Sequence, residues 1–409
     1  MMISFLPRTA VSGVLALAAA ALTVLPAPAA AVPREEPLPP RPVSADASLL
    51  HRSGTHVRPD DDAPDLPSEV SALSWLVADA RTGDVLAAHN AHRRLPPAST
   101  LKTLFALTAL PRLSGRRVHT VTDEELTGVG EGSSLVGLAA GRTYRLADLW
   151  RGVFLSSGND AVHVLAELNG GWRTTARQMQ AKARALGALD THVVSADGYD
   201  EPGQVSSAFD LAVFGRTGLA NRKFARYAAT VDARFPGGTF DDGTPTWTYG
   251  IRNTNRLLTG ADGVGRYPGI IGVKNGYTTH AGHTLIAAAR RDGRTVLVTV
   301  MNPQSDGGRA VYEEARSLLD WGFDAAEHVR PVGSLGPPSV PEPEQAGPGP
   351  VEQTTATAPE DSDDGTGHDW LWAQIAAAYL AAALVVRWRH GHYEPEARTV
   401  KKAEARAGR

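Results

Sequence analysis

The segment LPPASTLKTLFALTAL, Leu95 to Leu110, places two prolines ahead of a serine and sets Lys102 at the head of an otherwise apolar run. Pro96 and Pro97 bar the continuation of any earlier helix, so a new one starts near Ser99. Ser99 and Lys102 stand three residues apart and share a helical face, hydroxyl beside amine. Taken alone, the pair also fits a serine N-cap followed by a lysine whose stem lies along the surface. The run behind it is apolar enough to be buried, and that would put an ammonium in a dry place.

Lysine usage bears on the choice. Of the 41 basic residues only six are lysine: Lys102, Lys182, Lys223, Lys274, Lys401 and Lys402. Where a plain positive charge suffices, this chain uses arginine. Arginine stays protonated, whereas a lysine desolvated beside another cation can give up its proton and act as a base.

The bulk of the sequence limits the function classes. The chain has 409 residues and a net charge of -3, which provides no electrostatic footprint for nucleic acid. It contains no cysteine, so disulfides, thiol catalysis and cysteine-based metal sites are excluded together. Its 13 histidines form no HExxH-type cluster, and His280 and His283 read as polar surface. No metal or other cofactor is called for.

Residues 1–31 read as a secretory signal: Arg8, the apolar run VSGVLALAAAALTVL, then the small-residue ending APAAA. Residues 32–68, rich in Pro, Asp and Arg, read as a disordered linker, with Asp60, Asp61 and Asp62 solvating it. Residues 69–328 form the globular part, and 329–368 a Pro/Gly-rich acidic linker. Residues 369–388 are apolar, with tryptophans near both ends, an acidic flank before them and a basic one after. That pattern predicts a single transmembrane helix, with the 389–409 tail cytoplasmic and the globular part outside the membrane.

Within the globular part, LSWLVADARTGDVLAAHN alternates around Thr82-Gly83-Asp84, and TLIAAARRDGRTVLVTVMN around Arg291-Asp292-Gly293. Both read as hairpins. TLKTLFALTALPRL, DAVHVLAELN and AVYEEARSLLDWGF read as helices. Strands at both ends of a domain with helices between them predict an α/β layer whose first and last strands share one sheet.

Two further triplets complete the pattern of Ser99 and Lys102. FLSSGNDAVHVLAEL holds Ser157-Gly158-Asn159 ahead of a helix, and GIIGVKNGYTTHAGHTLIAAA holds Lys274-Asn275-Gly276 running into a strand. Singly, Ser157 could cap a helix and Lys274 could be an edge-strand charge. In this order they form the S-x-x-K, S-x-N and K-[TS]-G set of penicillin-interacting serine enzymes. The chain resembles the D-alanyl-D-alanine carboxypeptidases of the low-molecular-mass penicillin-binding protein family. The likeness also runs through TGDVLAAHNAHRRLPPASTLK, GSSLVGLAAGRTYRLADLWRGVFLSSGNDA, MQAKARALGALDTHVVSADGYD, RNTNRLL and LLDWGF, over residues 73 to 323.

The resemblance implies a β-lactamase/transpeptidase-like fold, an antiparallel sheet flanked by helices with a helical subdomain and a cleft between them. It implies hydrolysis of the terminal D-alanine from peptidoglycan stem peptides, with β-lactams as covalent inhibitors. By that likeness Ser99 is the nucleophile, Lys102 its base, made less basic by desolvation and by Lys274, and Ser157 a proton relay. Asn159 would bind the substrate peptide and help orient Lys102. Lys274, Asn275, Gly276 and Thr278 would hold the terminal carboxylate end, and the N–H groups of Ser99 and Tyr277 would form an oxyanion hole. A transpeptidase, a β-lactamase or esterase, and a weakened wall-binding protein are the alternatives. Asn275 stands where the family usually has Thr, and Thr284 where relatives often carry Cys. Arg309 has no spacing that assigns it a role, and the glycine run 128–132 has no strand-to-helix setting for a nucleotide.

Overall fold

Strands β2 (Ser74–Asp79) and β10 (Arg294–Met301) are apolar on successive residues because both of their faces are covered. Trp75 and Val77 point to one layer with Val296, Val298 and Val300, while Leu76, Ala78 and Leu297 point to the other. This is the period-2 consequence of the pleat in a sheet buried on both sides. A fully buried Leu76 contributes about 1.5–3 kcal/mol relative to exposure.

The computed structural model describes residues 47–336, apart from 114, 116, 241–243 and 306. The main sheet is antiparallel, in the order β1 (Thr55–Val57), β3 (Asp84–His89), β2, β10, β9 (Gly282–Arg291), β8 (Ile270–Thr278). The short β11 (Gly333–Ser334) also pairs with β3. Thus the expected sharing of one sheet by the first and last strands is met at the β2–β10 pair. Both hairpin turns fall where the sequence places them. Asp292 and Gly293 both have positive φ, as a two-residue turn matched to strand twist requires.

Helix α10 (Ala310–Ala325) covers one face of the sheet through Val311, Ala315, Leu318 and Leu319. The opposite face carries α2 (Lys102–Ala109), α7 (Ala208–Ala220) and the larger core. Around these lie α4 (Leu146–Leu155), α5 (Asn159–Leu168), α6 (Trp172–Ala185) and α8 (Arg222–Ala228). A second sheet joins β4 (Val118–Thr120), β5 (Thr143–Arg145), β6 (Asp232–Thr239) and β7 (Pro245–Arg252). Short helices α1 (Ala47–Leu50), α3 (Asp123–Leu126) and α9 (Arg256–Thr259) complete the order.

The reading of residues 32–68 as disordered needs correction from residue 47 onward. Leu50 is buried, β1 pairs with β3, Asp60 N donates to His328 O at 2.8 Å, and Trp321 Nε1 donates to Pro64 O at 3.0 Å. The second linker likewise begins late, since Val329, Val332 and Leu335 are buried. Prolines erase helical and strand periodicity without preventing packing, and pairings across some 270 residues leave no local mark. The expected signal segment 1–31 and transmembrane helix 369–388 lie outside the described residues, as does the 389–409 tail. Among the described residues no helix is long and apolar enough to cross a membrane.

Candidate active site

Ser99 does not cap α2. It sits inside a 3-10 turn, Ala98–Leu101, that follows the two prolines and leads directly into α2. Its half-buried hydroxyl accepts a hydrogen bond from Lys102 Nζ at 2.8 Å. Nor does Lys102 snorkel: its side chain is 1 % exposed, and Nζ also donates to the carbonyl of Asp197 at 2.5 Å. Burial pulls its ammonium down to about 8, against a partial upward push from the carboxylates of Asp197 and Asp160. A buried amine that titrates near neutrality, in hydrogen-bond contact with a hydroxyl, is equipped to take that hydroxyl's proton.

Ser157 and Asn159 come from the tight junction between α4 and α5. The cap residue of α5 is Gly158, without a side-chain cap bond, so Ser157 is not serving as one. Ser157 is held at a left-handed φ of 57° and is buried, and its Oγ has no partner among the described residues. Strain and an orphaned hydroxyl together mark a group kept for something absent from the resting protein. Gly158 is required here, because a Cβ would stand 2.7 Å from Asp160 Oδ1 and 3.0 Å from Val136 N. Asp160 in turn accepts from the backbone N–H groups of Val136, Gly137 and Leu138 at 2.8–3.0 Å, fixing the neighbouring loop.

The third wall is edge strand β8. Gly276 pairs with Thr284 of β9, and a Cβ on it would stand 2.8 Å from Ser99 N and 3.0 Å from Ala98 Cβ. Only glycine lets the strand approach the Ser99 turn this closely. Lys274 shares that face by strand alternation and is 2 % exposed, with Nζ donating to Asn275 O at 2.7 Å. Burial, then repulsion from Lys102, holds its ammonium well below the usual range. The expected repulsion therefore acts at Lys274, while the lowering at Lys102 comes from burial. A bound carboxylate would restore the charge on Lys274.

Several expected contacts are placed differently. Asn159 Nδ2 donates to Ser133 Oγ at 2.9 Å, so the second acceptor orienting Lys102 is the Asp197 carbonyl rather than the Asn159 amide. Thr278 Oγ1 donates to Asp200 Oδ1 at 2.7 Å and accepts from Ala281 N, which ties it into the β8–β9 turn instead of offering it to a carboxylate. Asn275 leaves the opposite face of β8, where Thr254 Oγ1 donates to its Oδ1 at 2.9 Å and its amide meets the Tyr312 hydroxyl. The Tyr277 side chain is 62 % exposed and its ring lies over His283. Thr284 is structural, donating to Pro97 O at 2.9 Å. Sequence reasoning missed Asp160 and Asp197 as supports. Asp160 directly follows the S-x-N triplet, while Asp197 carries no local motif.

A hydroxyl, a dry amine and a second lysine converging between an antiparallel sheet and a helical layer define a penicillin-binding, transpeptidase-like serine enzyme. Residues 60–305 match the model of the D-alanyl-D-alanine carboxypeptidase family, peptidase family S11. The D-alanyl-D-alanine carboxypeptidase DacB2 of Mycobacterium tuberculosis is 38 % identical over 275 residues, covering 66 % of this chain and 87 % of the relative. DacD of Escherichia coli is 34 % identical over 268 residues, covering 63 % of this chain and 64 % of the relative. Among solved structures, a D-alanyl-D-alanine carboxypeptidase from Mycobacterium tuberculosis superposes with a TM-score of 0.60 at 37 % identity, over 68 % of this chain and all of that one. The Streptomyces K15 DD-transpeptidase superposes at 0.58 with 26 % identity, over 64 % of this chain and 99 % of that one. The chain belongs to the D-alanyl-D-alanine carboxypeptidase family, and is a serine hydrolase of that family.

Proposed function

We propose that this protein removes the terminal D-alanine from peptidoglycan stem peptides through an acyl-enzyme on Ser99. The observation that carries the proposal is the 2.8 Å contact between Ser99 Oγ and a Lys102 amine buried enough to titrate near neutrality. In the first half-reaction Ser99 Oγ bonds to the carbonyl carbon of the penultimate D-alanine, and its proton passes to neutral Lys102. The N–H groups of Ser99 and Tyr277 receive the developing oxyanion; such a donor is worth about 3–4 kcal/mol. Lys102 hands that proton on through Ser157 Oγ to the leaving nitrogen, the C–N bond breaks, and D-alanine departs, leaving Lys102 neutral again. Water then attacks the ester carbonyl as Lys102 takes its proton, the C–O bond to Ser99 breaks, and Lys102 returns the proton to Ser99 Oγ.

The direct test is incubation of the purified protein with a peptide ending in D-Ala-D-Ala, reading free D-alanine. Stoichiometric release of D-alanine with a shortened peptide is the expected result; no release over hours would overturn the proposal. Transfer to an amine is the second reading, supported by the likeness to the Streptomyces K15 DD-transpeptidase. Adding glycine as acceptor separates them, because a transpeptidase yields a glycine-capped peptide.

Asn275 invites a separate measurement. Restoring threonine puts a hydroxyl where the amide now pairs with Thr254 and Tyr312. Asn275→Thr should change the β-lactam acylation rate by no more than about threefold, because the side chain at this position leaves the face of β8 turned away from Ser99. A rise of about tenfold or more would instead mean that the 275 side chain reaches the ligand's carboxylate directly, a hydrogen bond to a charged group being worth about 1.5 kcal/mol or more.

The signal-like segment 1–31 and the apolar segment 369–388 support an extracytoplasmic catalytic part tethered to the membrane by a C-terminal helix. Protease treatment of intact cells, with and without permeabilisation, tests that placement.

A further inference from the structure

The second acceptor of Lys102 lies on irregular chain. Asp197 belongs to the loop between α6 and α7, where no helix or named strand holds the backbone in place. Its position is set by Gln204, whose side chain is 3 % exposed. Gln204 Oε1 accepts from Val194 N at 3.0 Å and Ser195 N at 2.8 Å, and Nε2 donates to Ser195 Oγ at 2.9 Å and Tyr199 O at 2.6 Å. One amide thus uses both of its donor hydrogens and both acceptor positions, on the two flanks of Asp197. Inside that span, Ser195 Oγ donates to Asp197 Oδ1 at 2.8 Å and Tyr199 N donates to the same oxygen at 3.0 Å.

The clamp is also fixed from outside. Val205 and Ser206, next to Gln204, bridge His192 and Leu95 respectively, and Leu95 stands three residues before the nucleophile's own turn begins at Ala98. On the inner side Gly198 has φ +83°, and a Cβ there would stand 2.1 Å from Ala98 O. The loop is therefore pressed against the backbone adjoining Ser99, with no room for a side chain between them.

We infer that Gln204 is a positioning residue for the base: by locking residues 194–199 it fixes the Asp197 carbonyl, and so aims Lys102 Nζ at Ser99 Oγ. A lysine side chain has four rotatable bonds, and a single hydrogen bond to Ser99 leaves it free to swing. A second acceptor on the far side removes that freedom. Errors of about 1 Å in such alignments cost about a hundredfold in rate. All of the Gln204 side-chain bonds go to this loop, so it acts through the base and leaves substrate untouched. The inference rests on the reading of Lys102 as the base.

Two variants of the full chain test it. Gln204→Met keeps length and loses all four bonds; Gln204→Glu keeps both acceptors and loses the amide donors. The charged groups facing Lys102, namely Asp197 on the loop, Asp160 and His163 on α5, and Lys274 on β8, remain in both. Acylation by a fluorescent penicillin is followed against penicillin concentration and pH, alongside thermal unfolding. Gln204→Met is expected to slow the acylation step by about ten- to a hundredfold, with the initial binding constant unchanged within about twofold. Its acid limb should move to lower pH, since the carbonyl favouring the ammonium is withdrawn. Gln204→Glu should fall between Met and wild type. Unchanged acylation and limb in folded variant, even with lowered thermal stability, overturns the inference alone, as does a loss confined to initial binding. If Gln204→Met does not fold, Gln204→Glu is judged by the same criteria. A wild type that is never acylated overturns the functional reading and this inference together.

Discussion

Replacement of Ser99 by alanine is expected to abolish covalent labelling by a fluorescent penicillin and to cut D-alanine release by at least about 10⁴-fold. Among the described residues no other hydroxyl receives a hydrogen bond from Lys102 Nζ. Ser157 Oγ is buried at a strained junction without an amine bonded to it, whereas Ser99 Oγ is the one that receives Lys102 Nζ. The protein should remain folded, because Lys102 keeps the Asp197 carbonyl as acceptor. Losing one of two partners for a buried ammonium costs about 1–3 kcal/mol, visible as a lower Tm. Equal labelling of Ser99→Ala and wild type would remove Ser99 from the nucleophile's role.

The second large effect concerns Lys102→Arg, which preserves the charge and discards the base. Guanidinium does not deprotonate in a protein, so acylation should fall by about 10²–10⁴-fold. The pH dependence gives an independent check. Only the neutral amine can accept the serine proton, and burial sets its pKa at about 8. At neutral pH about one molecule in ten then carries a competent base, against about four in ten thousand for an ordinary lysine. Wild-type acylation should therefore rise through pH 8 and level off above it, and the residual rate of Lys102→Arg should lack that limb. Near-normal acylation in the variant, or a wild-type limb in the ordinary lysine range, would exclude Lys102 as base.

How far the sequence reveals this depends on the span of each signal. Ser99 with Lys102 is readable because helical spacing brings the two groups together within one turn, and Ser157 with Asn159 because the triplet stands at the start of a helix. The scarcity of lysine draws notice to six positions, of which the two that stand in motifs, Lys102 and Lys274, are buried. The K-N-G triplet announces a strand, but alternation sends Lys274 and Gly276 to the face that meets the Ser99 turn and Asn275 to Thr254 and Tyr312. Which face is which follows from pairing with β9 and from the turn packed on it, neither of which is local. Thr278 was misplaced for the same reason: its partner Asp200 is 78 residues away. The stretch from residue 47 to 68 escaped because proline-rich chain can pack without period, and it does so against β3 and α10.

By itself, then, the sequence determined the alternating strands, the turn residues between them, and the serine-amine pair that helix geometry must bring into contact. Only the tertiary structure decided how basic that amine is and where it points. Desolvation and the Asp197 carbonyl are supplied by chain brought in from 95 residues away. Electrostatics in a dry crevice depend on everything that surrounds a charge, whereas local pattern records only its neighbours along the chain.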